Sequence, residues 1–237
     1  MTSRQLQLYI TTESPCSYFT DRMSSNLVPD PKLNLNMPIY NQLIQHGFRR
    51  SGSHCYRPHC SNGDSGCEAC IACRLVVKEF SPSRSQRRCY KRNQALTLTA
   101  VAAGYSDEYF ELYRRYLNSR HIDGSMANPV EEDFRQFLYC EWSDTQFLEL
   151  RQNGRLIAVA VTDIVSDGIS AVYSFFEPEM QELSLGTFCI LKQIDYAKSL
   201  GLAHVYLGYW IEGHPKMHYK NNYRPLQVYR NETWQNL

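Results

Sequence analysis

The pattern of apolar and polar positions is clearest in the second half of the chain. FLELRQNGRLIAVAVTDIVSDGISAVYSFFEP, residues 147–178, holds three strand-like runs. Asn153-Gly154 and Asp167-Gly168 separate them as tight hairpin turns. The period then lengthens to that of a helix, with Ser184 placed to cap a segment running to Leu200 and Gly201 to end it; AHVYLGY at 203–209 reads as a further strand. Upstream, Ser106 precedes DEYFELYRRYLNSR, in which Phe110, Tyr113 and Leu117 recur every three or four residues. Asn128, Pro129 and Glu131 make a helix start for a segment whose apolar stripe is Phe134, Phe137 and Leu138. Nearer the N-terminus, residues 6–10 are strand-like, Asn36 and Pro38 open a helix that Gly47 closes, and LVVKEF at 75–80 reads as a strand. Residues 84–104 are basic at first, then apolar and β-prone.

The order β-turn-β-turn-β-α-β, with a central antiparallel meander, predicts an α+β fold with a GNAT-like acyltransferase domain over 104–237. A small cysteine-rich N-terminal module with a basic patch would occupy 1–103. Coenzyme A enzymes of that shape hold a pyrophosphate on a glycine-rich turn at the helix start. Here the equivalent stretch, QELSLGTF at 181–188, has only Gly186 and does not reproduce the turn, so a different acyl carrier is expected.

Composition narrows the function classes. The 237 residues are 43% hydrophobic, enough for a substantial core. A net charge of +1 excludes a generally basic nucleic-acid coat, so any such contact is local. No stretch is long and apolar enough to span a membrane. MTSRQLQLYITTESPC lacks the apolar run of a secretory signal, which points to a reducing, cytoplasmic setting. There, nine cysteines read as metal-binding or redox-active rather than as a disulfide scaffold.

Five of those cysteines fall between Cys55 and Cys73. Cys67, Cys70 and Cys73 are two residues apart, a spacing that lets two thiolates turn onto one ion; Cys60 precedes them by a six-residue polar loop. A fourth ligand is open among Cys73, Cys55, His54, His59 and Cys16, and zinc or an iron–sulfur cluster would suit four thiolates equally. Cys140 and Cys189 read as core thiols in helical segments. RSQRRCYKR at 84–92 sets Arg84, Arg87, Arg88, Lys91 and Arg92 together as candidate phosphate contacts, with Cys89 among them as a thiol whose ionisation neighbouring charge favours. The tail YLGYWIEGHPKMHYKNNYRP is too polar as a group for pure core and is a candidate substrate wall.

Long stretches of the chain resemble the bacterial aspartate/glutamate leucyltransferases and their relatives, the arginyl-tRNA–protein transferases. They are PCSY at 15–18, GFRRSG at 47–52, YRPHC at 56–60, CEAC at 67–70, SPSRSQRR at 81–88, RLIAVAVTD at 155–163, SAVYSFFEP at 170–178, SLG at 184–186, YLGYWI at 206–211 and KMHYKNNYRP at 216–225. The resemblance implies transfer of leucine from leucyl-tRNA to the N-terminal amine of proteins beginning with Asp or Glu, marking them for N-end rule degradation. It implies a thiol set of Cys16, Cys60, Cys67 and Cys70, although the family reads two residues where this chain has six between Cys60 and Cys67, and Cys73 is extra. No cofactor is needed for the transfer itself, and neither DNA nor a membrane is an expected partner.

On that reading Arg49, Arg50, Arg57 and Lys220 recognise the acceptor carboxylate, Arg84, Arg87 and Arg88 serve the acceptor or the tRNA end, and Trp210 and Lys216 join the substrate-binding set. Asp163 would orient or deprotonate the amine, with Tyr173, Tyr209 and Tyr219 lining the centre. The competing readings are an acyltransferase on the same core with an arginyl-tRNA or coenzyme A donor, and a non-enzymatic zinc-knuckle RNA-binding module.

Overall fold

The computed structural model describes residues 6–61, 66–120 and 127–237. Its N-terminal strands are short: β1 (Leu8–Ile10), β2 (Ser14–Pro15), β3 (Met23–Ser24), β4 (Asn26–Pro29), β5 (Arg49–Ser51) and β6 (His54–Pro58). Four of them form an antiparallel sheet in the order β1-β4-β6-β5, and β2 pairs with β3 as a ribbon. Helix α1 (Met37–Gln45) links β4 to β5. Asn36 caps it, its Oδ1 accepting the Ile39 N–H at 3.1 Å.

The second sheet has eight strands: β7 (Ile71–Val76), β8 (Thr97–Ala102), β9 (Thr145–Gln152), β10 (Arg155–Val165), β11 (Gly168–Phe176), β12 (His204–Trp210), β13 (Leu226–Arg230) and β14 (Thr233–Asn236). Their spatial order is β14-β13-β7-β12-β11-β10-β9-β8, and only the β11–β12 pair is parallel. Helices α2 (Arg84–Arg92) and α5 (Leu185–Ser199) cover one face, while α3 (Asp107–Arg120) and α4 (Glu131–Leu138) cover the other. β10 runs through the middle. Its Ala158 and Ala160 meet Phe188, Leu191 and Ile194 of α5, and its Val159 and Val161 meet Leu112, Tyr113 and Phe134. That is the alternation of a strand buried on both faces.

The mixed α+β architecture with one large sheet is as expected, and the Asn153-Gly154 turn holds with both residues at positive φ. Ser106 Oγ accepts the Tyr109 N–H at 3.2 Å, and Gly201, at φ +68°, ends α5. Several expectations are corrected. The second hairpin turns at Ser166-Asp167, because Gly168 already lies in β11, where any Cβ would strike the His204 carbonyl of the adjacent strand. Ser184 precedes α5 in a left-handed conformation without capping it. At α4 the cap comes from Asp133, whose Oδ2 accepts the Val130 N–H at 2.8 Å, while Asn128 donates its own N–H to Asn118. The strand expected at 75–80 is Ile71–Val76, followed by a 3-10 turn. β7 and β8 precede residue 103 yet belong to the large sheet, so a boundary at 103/104 separates neighbouring strands of one sheet.

Candidate active site

β11 and β12 pair only over Gly168–Ser170 against His204–Tyr206. Beyond that they part, and main-chain groups that a sheet would satisfy need other partners. Arg49, on β5, supplies them: its Nη2 donates to Ala171 O at 3.0 Å and also to Val172 O. The guanidinium fills the wedge against Gly208, which sits at φ +79° beside an irregularity in the β7–β12 register. A Cβ at Gly208 would displace the Arg49 guanidinium, and the positive φ itself favours glycine there.

The 3-10 turn His218–Asn222 then carries Lys220 back against the sheet. Lys220 is 3% exposed, and its Nζ lies 3.4 Å from Met217 Sδ and over the Tyr219 ring, 4.8 Å from its centroid. Burial pulls its pKa down to about 8; Cys73 and Cys70 act the other way, and the Arg49 charge adds to the lowering. Among the described residues no carboxylate pairs with Lys220 or Arg49. Two positive charges therefore meet without a counter-ion, and a ligand carboxylate would offset the cost of the buried ammonium.

Aromatic groups surround this pair. Tyr219 is 43% exposed as a residue, and burial raises its pKa against the pull of Arg49. Tyr18 is raised by burial and by Tyr56 and Cys70, with Arg49 opposing, so it borders the same charge. Trp210 is 3% exposed, and its indole N–H meets no acceptor among the described residues. On the other wall Tyr173 packs edge-on against Phe137 and Tyr116, with centroids 5.1 and 6.3 Å away. Tyr116 itself feels Arg120 and Tyr219.

Of the expected site residues, Arg49, Lys220, Tyr219, Tyr173 and Trp210 gather around this parting of the strands. Asp163 and Arg50 do not serve it. Both side chains have no solvent exposure, and they form a bidentate pair with 2.6 and 2.7 Å contacts. Asp163 also accepts from Tyr40 at 2.9 Å and Thr145 at 2.7 Å, which leaves it closed to an amine. Burial works against the Arg50 charge, but Asp163 holds its pKa above the ordinary value. Tyr209 is likewise structural: buried, it donates to Gly47 O at 3.1 Å and Tyr56 O at 2.9 Å. Arg57 donates to His46 O at 2.8 Å and lies over Phe48 and Tyr229, so it braces β6 against the β13–β14 hairpin. Lys216 is exposed on the loop before the 3-10 turn. Arg84, Arg87 and Arg88 stand on α2, also exposed.

Cys16, Cys60, Cys67 and Cys70 come near one another: burial first, then Cys60, Cys16 and Cys67, push the Cys70 thiol up to about 12. Their polar partners diverge, however. Cys60 Sγ faces Ser25 O at 3.7 Å, and Arg22 donates to Cys67 Sγ at 3.3 Å. Among the described residues no three His, Cys, Asp or Glu side chains form a group arranged to hold a metal ion. Most of the long loop between Cys60 and Cys67, residues 62–65, lies outside the described residues. Cys73 is a core residue of β7, 1% exposed and raised by burial to about 12. Cys89 is buried against Leu183 and Ser184 with its pKa raised by burial, the reverse of the activation its basic neighbours implied. Cys189 is core as expected, whereas Cys140 lies past the end of α4 and donates to Ser143 Oγ at 3.2 Å.

Tyr18, Tyr56, Tyr116 and Arg120 were not identified from the sequence. The one available signal was position: Tyr18 and Tyr56 lie inside PCSY and YRPHC, close to residues that were singled out.

Comparison with known proteins gives one consistent picture. Residues 14–88 match the model of the arginine-tRNA-protein transferase N terminus, and residues 108–230 match that of its C terminus. The chain is 46% identical over 231 residues to the aspartate/glutamate leucyltransferase of Hahella chejuensis, covering 98% of this chain and 97% of that protein. It is 47% identical over 236 residues to that of Stenotrophomonas maltophilia strain R551-3, covering 97% and 92%. Among solved structures, that of L-PGS from Bacillus licheniformis is similar at a TM-score of 0.48 and 12% identity, covering 62% of this chain and 47% of that one.

Proposed function

The chain belongs to the arginine-tRNA–protein transferase family, within which its relatives are aspartate/glutamate leucyltransferases, and from that premise we propose that it moves leucine from leucyl-tRNA to the N-terminal α-amine of proteins beginning with Asp or Glu, marking them for N-end rule degradation. The observation that carries the acceptor half is the unpaired cation pair, Arg49 and Lys220, at the parting of β11 and β12. An acceptor's side-chain carboxylate would bond both cations, holding the adjacent α-amine beside the parted strands.

The donor ester is already activated, so the chemistry is one acyl transfer. The acceptor amine, with a reference pKa of about 8, attacks the leucyl carbonyl when neutral. The tetrahedral intermediate collapses, and the ribose oxygen leaves with the proton that the amine gives up. Holding the two reactants together is worth roughly 7–11 kcal/mol of the barrier. Cys70 and Cys73, the thiols that act on the Lys220 charge, are kept protonated by burial, which favours direct transfer over a leucyl-thioester route.

We read the meander β8–β11, followed by α5 and a parallel β12, as an acyltransferase core of the GNAT kind. Nine cysteines without a disulfide support a cytoplasmic setting, and no helix among the described residues is long and apolar enough to cross a membrane. A structural metal on Cys16, Cys60, Cys67 and Cys70 would require Cys60 to give up its proton and its contact with Ser25 O, while the N–H bonds to Cys16 and Cys67 could stay; elemental analysis of protein purified without oxygen tests it.

The test of function is transfer of radiolabelled leucine or arginine, each as its charged tRNA, to peptides that differ only in the first residue. Leucine should pass to Asp- and Glu-starting peptides and about 100-fold more slowly to the neutral Asn and Gln isosteres, a gap of about 2.7 kcal/mol. Lys220→Met should close most of that gap. Transfer of arginine instead, or equal use of Asp and Asn peptides by the wild type, would overturn the reading.

A further inference from the structure

The basic segment at 84–92 is helix α2, started by a reciprocal cap between Ser83 and Gln86 with bonds of 3.3 and 2.8 Å. Its buried side is fastened at both ends. Gln86 Nε2 donates to Asn222 O at 3.0 Å, in the turn that carries Lys220. Asn93 Nδ2 donates to Leu183 O at 2.8 Å, just before α5, and Tyr90 OH donates to Asp195 at 2.8 Å. The opposite side presents Arg84, Arg87, Arg88, Lys91 and Arg92, all exposed. Among the described residues none of the five is ion-paired. Arg87 and Arg92 reach only the main chain of Pro82 and Glu182 and the hydroxyl of Ser184.

An ordinary solvated face mixes the two signs, as the chain does overall with 25 basic and 24 acidic residues. Here five cations lie on one rigid helix with no acid among them, and the helix is bonded to the turn that forms the site. The helix is about 13 Å long, which spans only a few phosphates. It lies outside the Arg49–Lys220 centre, so it does not read the acceptor's first side chain.

We propose that the exposed face of α2 is a phosphate track that docks the aminoacyl end of the tRNA beside the Lys220 turn. This rests on the leucyl-tRNA reading above. Its work is positioning and sequence-independent attraction, so it should appear chiefly as salt dependence.

The test uses the full chain and fluorescently labelled, uncharged tRNA, with Kd measured by anisotropy across a series of KCl concentrations. The triple variant Arg84→Gln, Arg88→Gln, Lys91→Gln should weaken binding about 10- to 30-fold near 0.1 M salt. It should also flatten the slope of log Kd against log salt by about 2, from about 0.7–0.9 per lost contact. Lys32→Gln, an exposed charge removed elsewhere, should leave the slope unchanged. In the transfer assay the KM for leucyl-tRNA should rise in the triple variant while the KM for an Asp-starting peptide holds. An unmoved salt slope in the triple variant would overturn the track, as would a rise in peptide KM alone, which would assign the face to the acceptor protein. A wild type that binds no tRNA would sink the leucyl-tRNA reading and the track with it.

Discussion

Arg49 and Arg50 are consecutive residues on β5, and the strand sends their side chains to opposite sides. Arg50 enters a sealed network with Asp163, Tyr40 and Thr145, where each charge has its partner. Arg49 bonds the carbonyls of a parted strand and brings its charge beside Lys220, where no carboxylate waits among the described residues. Both regions bury cations, so burial does not distinguish them. The presence or lack of a resident counter-ion does. The paired region holds the small sheet to the large one, and the unpaired region is left in electrostatic want until an anion arrives.

The sharpest way to break the comparison is to unpair the first region. Asp163→Ala should cost about 3–5 kcal/mol in denaturant unfolding, because Arg50 is left charged and buried. The double variant Arg50→Met, Asp163→Leu should recover most of that loss; a double variant as unstable as the single one would show that the pair does more than cancel itself.

In the second region the sign reverses. Lys220→Met should raise stability at pH 7 by up to about 3 kcal/mol while removing transfer to Asp-starting peptides. The folded chain releases the Lys220 proton near pH 8, whereas the unfolded chain keeps it to its ordinary value of 10.5. Wild-type stability should therefore rise between those limits relative to the variant, and parallel curves for the two proteins would remove the unpaired-charge account.

Gly208→Ala tests the placement of Arg49. The methyl group meets the guanidinium at a backbone conformation with φ +79°, so about 1–3 kcal/mol of stability and 10- to 100-fold in kcat/KM for the peptide should be lost together. The smallest effect belongs to Tyr209→Phe, which removes one hydroxyl donor from Gly47 O and Tyr56 O. It should cost about 1 kcal/mol in stability and leave kcat within about twofold, and a large fall in kcat with unchanged melting would return Tyr209 to the chemistry.

How much of this was legible in the chain depended on how local each cause is. The Asn153-Gly154 turn and the Asn36 and Ser106 caps are settled within a few residues, and they were readable. The Ser83–Gln86 cap is equally local, a Ser three residues before a Gln at the head of the basic run. Gly168 misled by one position because its reason is the carbonyl of His204, on another strand. Cys73 resembles a ligand by its spacing from Cys70, yet it alternates with Leu75 as an inward residue of β7. Arg49 and Arg50 carried equal weight in the sequence. What separates them is an aspartate 113 positions away from Arg50 and a gap between two strands that no local pattern encodes. Lys220 stands out in the sequence by its motif, but that no acid pairs with it among the described residues is visible only in three dimensions.

β7 lies between β12 and β13 although it comes from the first third of the chain. Cutting the polypeptide between residues 103 and 104 would therefore produce two fragments that each own an unfinished part of a single sheet. Neither half should be soluble alone, but co-expressed halves should find each other and restore activity. Fusing them to a pair of conditionally associating proteins would turn the enzyme into a switch, in which labelling of proteins for destruction waits on a chosen signal.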